Sequence, residues 1–202
     1  MGKEADAVTK EKVAGRPKLL LPADILPLVF CPGCQDPTTA RVIAEVLEEM
    51  GMEDRAVCTI GIGCNSFAAY MLDIDLINGP HGRPPDFATA VKRIYPDNLV
   101  FTMQGDGDLM SIGADPLLGA LARGEKITIF MLNNAVYGTT GGQAAPTTLI
   151  GQVTTTTPEG RDVNSFGFPV HAAEMIATFK GVAYSARGAL IPLKTTSAPR
   201  DM

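Results

Sequence analysis

The chain has 202 residues, about one domain's length, and carries 17 Lys and Arg against 22 Asp and Glu for a net charge of −5. That balance argues against a phosphate-backbone nucleic-acid binder. With 46% hydrophobic residues, only 19% charged and 21 glycines, the composition points to an α/β fold: a parallel sheet buried on both faces by helices and joined by tight turns. No run reaches the ~18 apolar residues of a membrane span, because the most apolar early segment, 19–30, is broken by Pro22, Asp24 and Pro27. The N-terminus is too charged for a secretory signal, and Asp6 stands where a myristoylation signal wants Ser or Thr, so a cytoplasmic address is expected. The four cysteines Cys31, Cys34, Cys58 and Cys64 all fall in the first third. In a reducing compartment such a group favours metal or redox chemistry over disulfides.

Residues 1–17 lack an apolar stripe and read as a solvated extension, 18–190 as the folded domain and 191–202 as an aperiodic tail. Asp36 as N-cap, Pro37 at the first helical position, apolar Val42, Ile43, Val46, Leu47 and Met50, and Gly51 as stop predict a helix just after Cys31 and Cys34. The run 57–60 reads as a buried strand ending in the turn Gly61-Ile62-Gly63-Cys64, at the carboxyl end where ligands bind open α/β sheets. Phe87, Ala88, Val91 and Ile94 predict a second helix, followed by a strand over 99–103, a helix over 112–121 and a strand over 127–132. This alternation implies right-handed crossovers. Residues 135–168, rich in Gly, Thr and Pro, far exceed an ordinary connection of about 4–6 residues and mark a functional loop. A helix over 170–179 and a short strand over 182–186 complete the predicted elements, with His171 on a helix surface and Tyr184 in the core.

The central motif is Gly105-Asp106-Gly107-Asp108 directly after a strand, with 25 residues between Gly107 and Asn133. One strand–helix–strand unit then brings Asp106 and Asn134 to the same sheet edge. A carboxylate, an amide oxygen and a backbone carbonyl suit a hard divalent cation that also holds phosphate oxygens. The flanking glycines let a diphosphate approach the main chain. Taken singly, Gly-Asp-Gly is a common turn and Asn-Asn a common loop start; the spaced pair on strand ends favours cofactor binding.

This spacing resembles the thiamine diphosphate motif, and the resemblance assigns Mg²⁺ to Asp106, Asn134 and the carbonyl of Val136. Cys31-Pro-Gly-Cys34, Gly61-Ile-Gly-Cys64, His81-Gly-Arg83, the Gly105 motif and Asn134-Ala-Val-Tyr-Gly-Thr-Thr-Gly-Gly-Gln143 occur in the order seen in the β subunit of 2-oxoacid:ferredoxin oxidoreductases, a resemblance covering about 28–188. It places Ile62, Gly63, Cys64 and Asn65 on a turn touching the cofactor, and Gly138 and Thr139 over the diphosphate. His81 becomes a candidate for contact with substrate or cofactor. The implied reaction is oxidative decarboxylation of a 2-oxoacid with coenzyme A to acyl-CoA, CO₂ and reduced ferredoxin. The implied partners are an α subunit carrying the pyrimidine-activating carboxylate and a ferredoxin or ferredoxin-like subunit.

The family's 4Fe-4S cluster would draw on Cys31, Cys34 and Cys64, but the fourth, downstream cysteine is absent and the chain reads as truncated after residue 188. Gln35-Asp36-Pro37 also replaces the Gly-His-Gly usual beside the first pair. Cys58 reads as a small buried hydrophobe. A four-cysteine zinc site is the alternative, against which the five residues between Cys58 and Cys64 count. Two other functional readings stay open: a cluster-free thiamine diphosphate decarboxylase or ligase half, and a non-catalytic subunit. Pyruvate, 2-oxoglutarate and branched-chain 2-oxoacids all remain as substrates; some 2-oxoglutarate-using relatives place a Lys where Gly141 stands.

Overall fold

A computed structural model describes residues 16–21 and 30–190. Most of the predicted extension 1–17 and the whole tail 191–202 lie outside the described residues. Four parallel strands, β1 (Ala56–Ile60), β2 (Asp75–Asn78), β3 (Leu99–Gly105) and β4 (Thr128–Leu132), form a sheet in the order β2-β1-β3-β4. In register, Cys58 of β1 stands opposite Phe101 of β3, and Met103 opposite Phe130 of β4.

The two-residue period of β1 and β3 divides the core. Ala56, Cys58, Ile60, Phe101 and Met103 point to one face, where they pack on α1 (Asp36–Glu49) and α2 (Cys64–Ala69) through Ala40, Ile43, Ala44, Leu47, Ala68 and Ala69. Val57 and Val100 point to the other and meet Ala88 of α3 (Pro84–Ile94). Leu117 and Leu121 of α4 (Ala114–Arg123) join Leu109, Ile129 and Met131 in a third cluster, closed by Ala172 of α6 (Ala172–Ala177). Helices therefore cover both faces, as the composition predicts.

Several boundaries differ from the sequence expectation. The cap of α1 is Gln35, not Asp36: the Thr39 N–H already donates to the Gln35 carbonyl at 2.9 Å, so Asp36 is the first helical residue and Pro37 the second. The predicted stripe of α1 is split. Ile43 and Leu47 turn inward with Ala40 and Ala44, whereas Val42, Val46 and Met50 face outward, because the alanines let the backbone approach α2 and the sheet. Gly51 does terminate the helix at φ +62°.

Strand β2 was not expected, since Asp75-Leu-Ile-Asn78 has no apolar alternation; it sits at the edge and is only half buried. The helix expected from 112 starts at Ala114, after a π-helical turn Asp108–Ile112 in which the Gly113 N–H reaches the Asp108 carbonyl at 2.8 Å. The strand expected over 182–186 does not form, and Tyr184, placed in the core from sequence, is 84% exposed. Its segment packs through Val182 against the cluster of Leu109, Leu117, Leu121 and Ala172 and pairs with no strand. His171 is exposed at the head of α6, as expected.

Candidate functional site

Because β1, β3 and β4 are parallel and adjacent, their carboxyl ends deliver Gly61–Cys64, Gly105–Asp108 and Asn133-Asn134 to one sheet edge. Asp106 is 1% exposed. Its Oδ2 accepts from the Thr147 hydroxyl, and no cationic side chain pairs with it among the described residues. Burial lifts this carboxyl above the ordinary carboxylate range, opposed by the Thr147 hydroxyl and the backbone N–H groups of Gly107 and Asp106. A buried carboxylate without a counter-charge is costly unless a cation joins it, so the donor set fits a bound divalent ion.

The loop after β4 is held by its own amides. Asn133 Oδ1 accepts from the Ala135 N–H at 3.0 Å and lies 2.9 Å from Thr147 Oγ1, while Asn134 Oδ1 accepts from the Val136 N–H at 3.2 Å. Between them Ala135 sits at φ +61°, and it is the one non-glycine residue at positive φ among the described residues. Functional sites concentrate such strain. The Thr148 hydroxyl donates to the Ala135 carbonyl at 2.6 Å. Past it, β5 (Val136–Tyr137) and β6 (Gln143–Ala144) form a small antiparallel hairpin carrying Gly138 and Thr139 at its turn. The Tyr137 ring covers Gly107 so closely that a Cβ there would lie 2.1 Å from a ring carbon.

The two aspartates of the motif diverge. Asp108 Oδ1 accepts from the Gly82 N–H at 2.7 Å and from His81 Nδ1, with the Ile62 N–H at 3.5 Å, and Oδ2 accepts from Gln104 Nε2 at 2.5 Å. Asp108 thus ties the 61–65 turn and the 81–83 loop to β3, and a Cβ on Gly61 would overlap its carboxylate at 2.2 Å. The His81 side chain stays one-third exposed with Nδ1 committed to Asp108. Asn65 is likewise turned inward, donating to the Met103 carbonyl at 2.8 Å, whereas Ile62 is exposed. Cys64 Sγ lies 3.0 Å from Thr139 Oγ1, and a Cβ on Gly138 would sit 3.3 Å from both Cys64 Sγ and Asn134 Nδ2. The 61–65 turn and the 134–139 loop therefore meet.

Cys31 is exposed, while Cys34 and Cys64 are partly buried. Burial raises the Cys34 thiol, against a backbone hydrogen bond at Asp36 that lowers it, and charge on Asp36, Cys64 and Cys31 would raise it further. No group of three or more His, Cys, Asp or Glu among the described residues is arranged to hold a metal ion, and a 4Fe-4S cluster takes four thiolates. The residues present do not fit that cluster. Cys58 lies wholly buried in the sheet core, its thiol pushed far up by burial, which removes the four-cysteine zinc reading.

Sequence reasoning missed Thr147, Thr148, Gln104 and Arg161. Hydroxyls in a Thr-rich loop carry no periodic signal, and one arginine among solvated charges looks like any other.

Residues 61–191 match the thiamine pyrophosphate enzyme family, C-terminal TPP-binding domain. Ketoisovalerate oxidoreductase subunit VorA of Methanothermobacter thermautotrophicus is 42% identical over 161 residues, 80% of this chain and 34% of that protein. The 2-oxoglutarate synthase subunit KorB of Methanocaldococcus jannaschii is 36% identical over 77% of this chain and 58% of its own length. A solved 2-oxoglutarate:ferredoxin oxidoreductase from Magnetococcus marinus, with 2-oxoglutarate, coenzyme A and succinyl-CoA bound, superposes with a TM-score of 0.73 at 27% identity, over 85% of this chain and 57% of that one. The chain thus spans a third to three-fifths of the length of these relatives. With relatives that are subunits of 2-oxoacid oxidoreductases and a Gly-Asp-Gly to Asn-Asn edge built as described, the chain belongs to the thiamine pyrophosphate enzymes, as their C-terminal TPP-binding domain.

Proposed function

We propose that this chain is the thiamine diphosphate-binding β subunit of a 2-oxoacid:ferredoxin oxidoreductase. The observation that carries the reading is the buried Asp106 just after β3, with no cationic partner among the described residues, beside the neighbouring strand β4 that leads into Asn133-Asn134 and Val136. Asp106, Asn134 Oδ1 and the Val136 carbonyl would hold Mg²⁺, with Gly105, Gly107, Gly138 and Thr139 against the diphosphate. When bound, thiamine diphosphate supplies an electron sink for 2-oxoacid decarboxylation. The chain's own residues would bind and orient: Ile62, Gly63 and Cys64 would approach the ligand, and His81, whose Nδ1 is held by Asp108, would offer its other ring nitrogen to substrate or cofactor. Asp108 and Asn65 serve this site from behind, by holding the turn and the His81 loop.

The overall reaction joins a 2-oxoacid and coenzyme A to give acyl-CoA and CO₂, with two electrons passing to ferredoxin. An α subunit supplies the pyrimidine-activating carboxylate. No step is assigned to an iron–sulfur cluster on this chain. A second reading is a cluster-free thiamine diphosphate decarboxylase or ligase half. Free thiols at all four cysteines suit a reducing, cytoplasmic setting, and no helix among the described residues is long and apolar enough to cross a membrane. The test is an assay of the full chain with thiamine diphosphate, Mg²⁺, coenzyme A, several 2-oxoacids and a viologen acceptor, with and without a family α subunit. Reduction of viologen only when the α subunit is present is the expected result. Turnover by the chain alone overturns the half-site reading, and decarboxylation without viologen reduction favours the cluster-free one.

A further inference from the structure

The polar loop after β6 contains a buried cation that the cofactor motif does not account for. Arg161 is 5% exposed, and its contacts among the described residues are all to carbonyl oxygens, with no carboxylate. Nη1 donates to the carbonyls of Ala145, Pro146 and Thr148 at 3.0, 3.2 and 2.8 Å. Nη2 donates to those of Phe166 and Phe168 at 2.9 and 3.1 Å, and Nε to that of Gly167 at 3.1 Å. A buried guanidinium is costly unless its donors are taken up, and here the planar fork spans two chain segments that a lysine's single ammonium would not reach together.

The segment on the Nη1 side is the one that touches the motif. Thr147 reaches Asp106 Oδ2 and Asn133 Oδ1, and Thr148 reaches the Ala135 carbonyl while accepting from the Ala145 N–H at 2.8 Å. Three carbonyls grasped by one guanidinium lie at 145, 146 and 148, bracketing Thr147. We propose that Arg161 is a positioning residue: it staples 145–148 to 166–168, thereby fixing Thr147 on Asp106 and Thr148 on Ala135, and so presets both ends of the cation site. The inference rests on the thiamine diphosphate reading above. With Oδ2 committed to Thr147, the Asp106 carboxylate cannot rotate freely, and the other oxygen stays directed for the ion. With its carbonyl committed to Thr148, Ala135 keeps the positive φ at which the Val136 N–H meets Asn134 Oδ1, and so sets the peptide that carries the Val136 carbonyl. Binding then avoids the cost of ordering the loop, which is how preorganisation strengthens affinity.

The experiment combines two readouts on the full chain: Mg²⁺ affinity by calorimetry at saturating thiamine diphosphate, and amide hydrogen exchange of the ligand-free protein by mass spectrometry. Arg161→Met and Arg161→Lys are expected to weaken Mg²⁺ binding about tenfold or more, the loss per ~1.4 kcal/mol, and to speed exchange in 133–136 and 145–148 while leaving β1 and β3 unchanged. Thr147→Val is expected to show the same loss of affinity with normal exchange in 166–168, and Thr147→Ser to restore affinity. Unchanged Mg²⁺ affinity in both Arg161 variants overturns the proposal, as does equal affinity in Thr147→Val and Thr147→Ser. Should the wild-type chain bind neither Mg²⁺ nor thiamine diphosphate, the functional reading fails on its own. The staple is then judged by exchange alone: faster exchange at 133–136 in Arg161→Met upholds it, and unchanged exchange there overturns it.

Discussion

The sheet and the loop that follows it reach order by opposite means. Residues 56–132 are held by apolar burial repeated at every second strand position and every turn of helix, so that Cys58, Ile60, Phe101 and Met103 form one core face and Val57 and Val100 another. Residues 133–168 place Leu149, Ile150, Val153 and Phe168 outward and bury Thr147, Thr148, Thr154, Thr157 and Arg161 instead. Their order comes from point-to-point hydrogen bonds, such as the pair of Thr154 and Thr157 hydroxyls at 2.7 Å. A core of the first kind tolerates volume-conserving exchange, whereas one of the second kind depends on individual donors and acceptors. Stability therefore resides chiefly in the sheet, and the geometry of the proposed site in the loop.

Separating these two properties by mutation is the sharpest way to break that contrast. Phe101, fully buried and edge-on to Phe130 at 5.8 Å between ring centres, should lose about 3–5 kcal/mol on replacement by Ala. At roughly 2–4 °C per kcal/mol for a chain of this size, thermal unfolding should fall by about 6–20 °C. A drop below about 3 °C would show that β3 is not the centre of the core. Asp108 is next. Asp108→Ala leaves buried donors on Gln104 and Gly82 without an acceptor, at a cost of about 1–3 kcal/mol each for unsatisfied groups, so it should unfold early as a core variant does.

Asp106, two residues away and equally buried, should do the reverse. A carboxyl whose folded pKa is raised above its unfolded value contributes stability that is full below the unfolded value and lost as pH rises through the folded one. At neutral pH the ligand-free protein has lost that contribution, so Asp106→Asn should unfold at the same temperature as the parent or higher. Its Mg²⁺-dependent thiamine diphosphate affinity should nonetheless fall by at least about 100-fold, roughly 2.7 kcal/mol. In the parent, that affinity should weaken as pH drops, beginning above the ordinary carboxylate range because burial raises Asp106. Calorimetry from pH 7.5 downward checks this. Undiminished affinity in Asp106→Asn would remove the metal from β3.

The same contrast explains what could be read before the structure. Strands β1, β3 and β4 and helices α3 and α4 follow from periodic burial, and the meeting of Asp106 with the Asn133-Asn134 edge follows from one strand–helix–strand unit, whereas the short helix α2 was not read from the sequence. Edge strand β2 escaped because a half-buried edge with Asp75 and Asn78 at its ends need not alternate. The opposite fates of Asp106 and Asp108 escaped as well, since adjacent positions in a motif do not announce which way a carboxylate turns after a strand end. Arg161, Thr147 and Thr148 act through carbonyls and side-chain oxygens 13 to 41 residues away, a distance over which no local propensity operates.

The smallest effect belongs to Ala135, and it separates strain from burial most directly. A left-handed residue with a Cβ costs roughly 1–2 kcal/mol, and Ala135 adopts φ +61° between two asparagine side chains that bond the following N–H groups. Ala135→Gly relieves that cost but adds about 0.4–1 kcal/mol of chain freedom to the unfolded state, leaving a net of about 0–1.6 kcal/mol in favour of Gly. Thermal unfolding should therefore stay the same or rise by no more than about 6 °C. Ala135→Val differs in kind, because a β-branched side chain at positive φ is a genuine outlier and should drive the loop out of this conformation. Mg²⁺ affinity should therefore weaken severalfold in the Val variant and hardly at all in the Gly variant, while the exchange rates of β1 and β3 stay the same in both. Equal Mg²⁺ affinity in the two would mean that the backbone at 135 is not what orients the Val136 carbonyl, and that the loop's hydroxyls act on Asp106 alone.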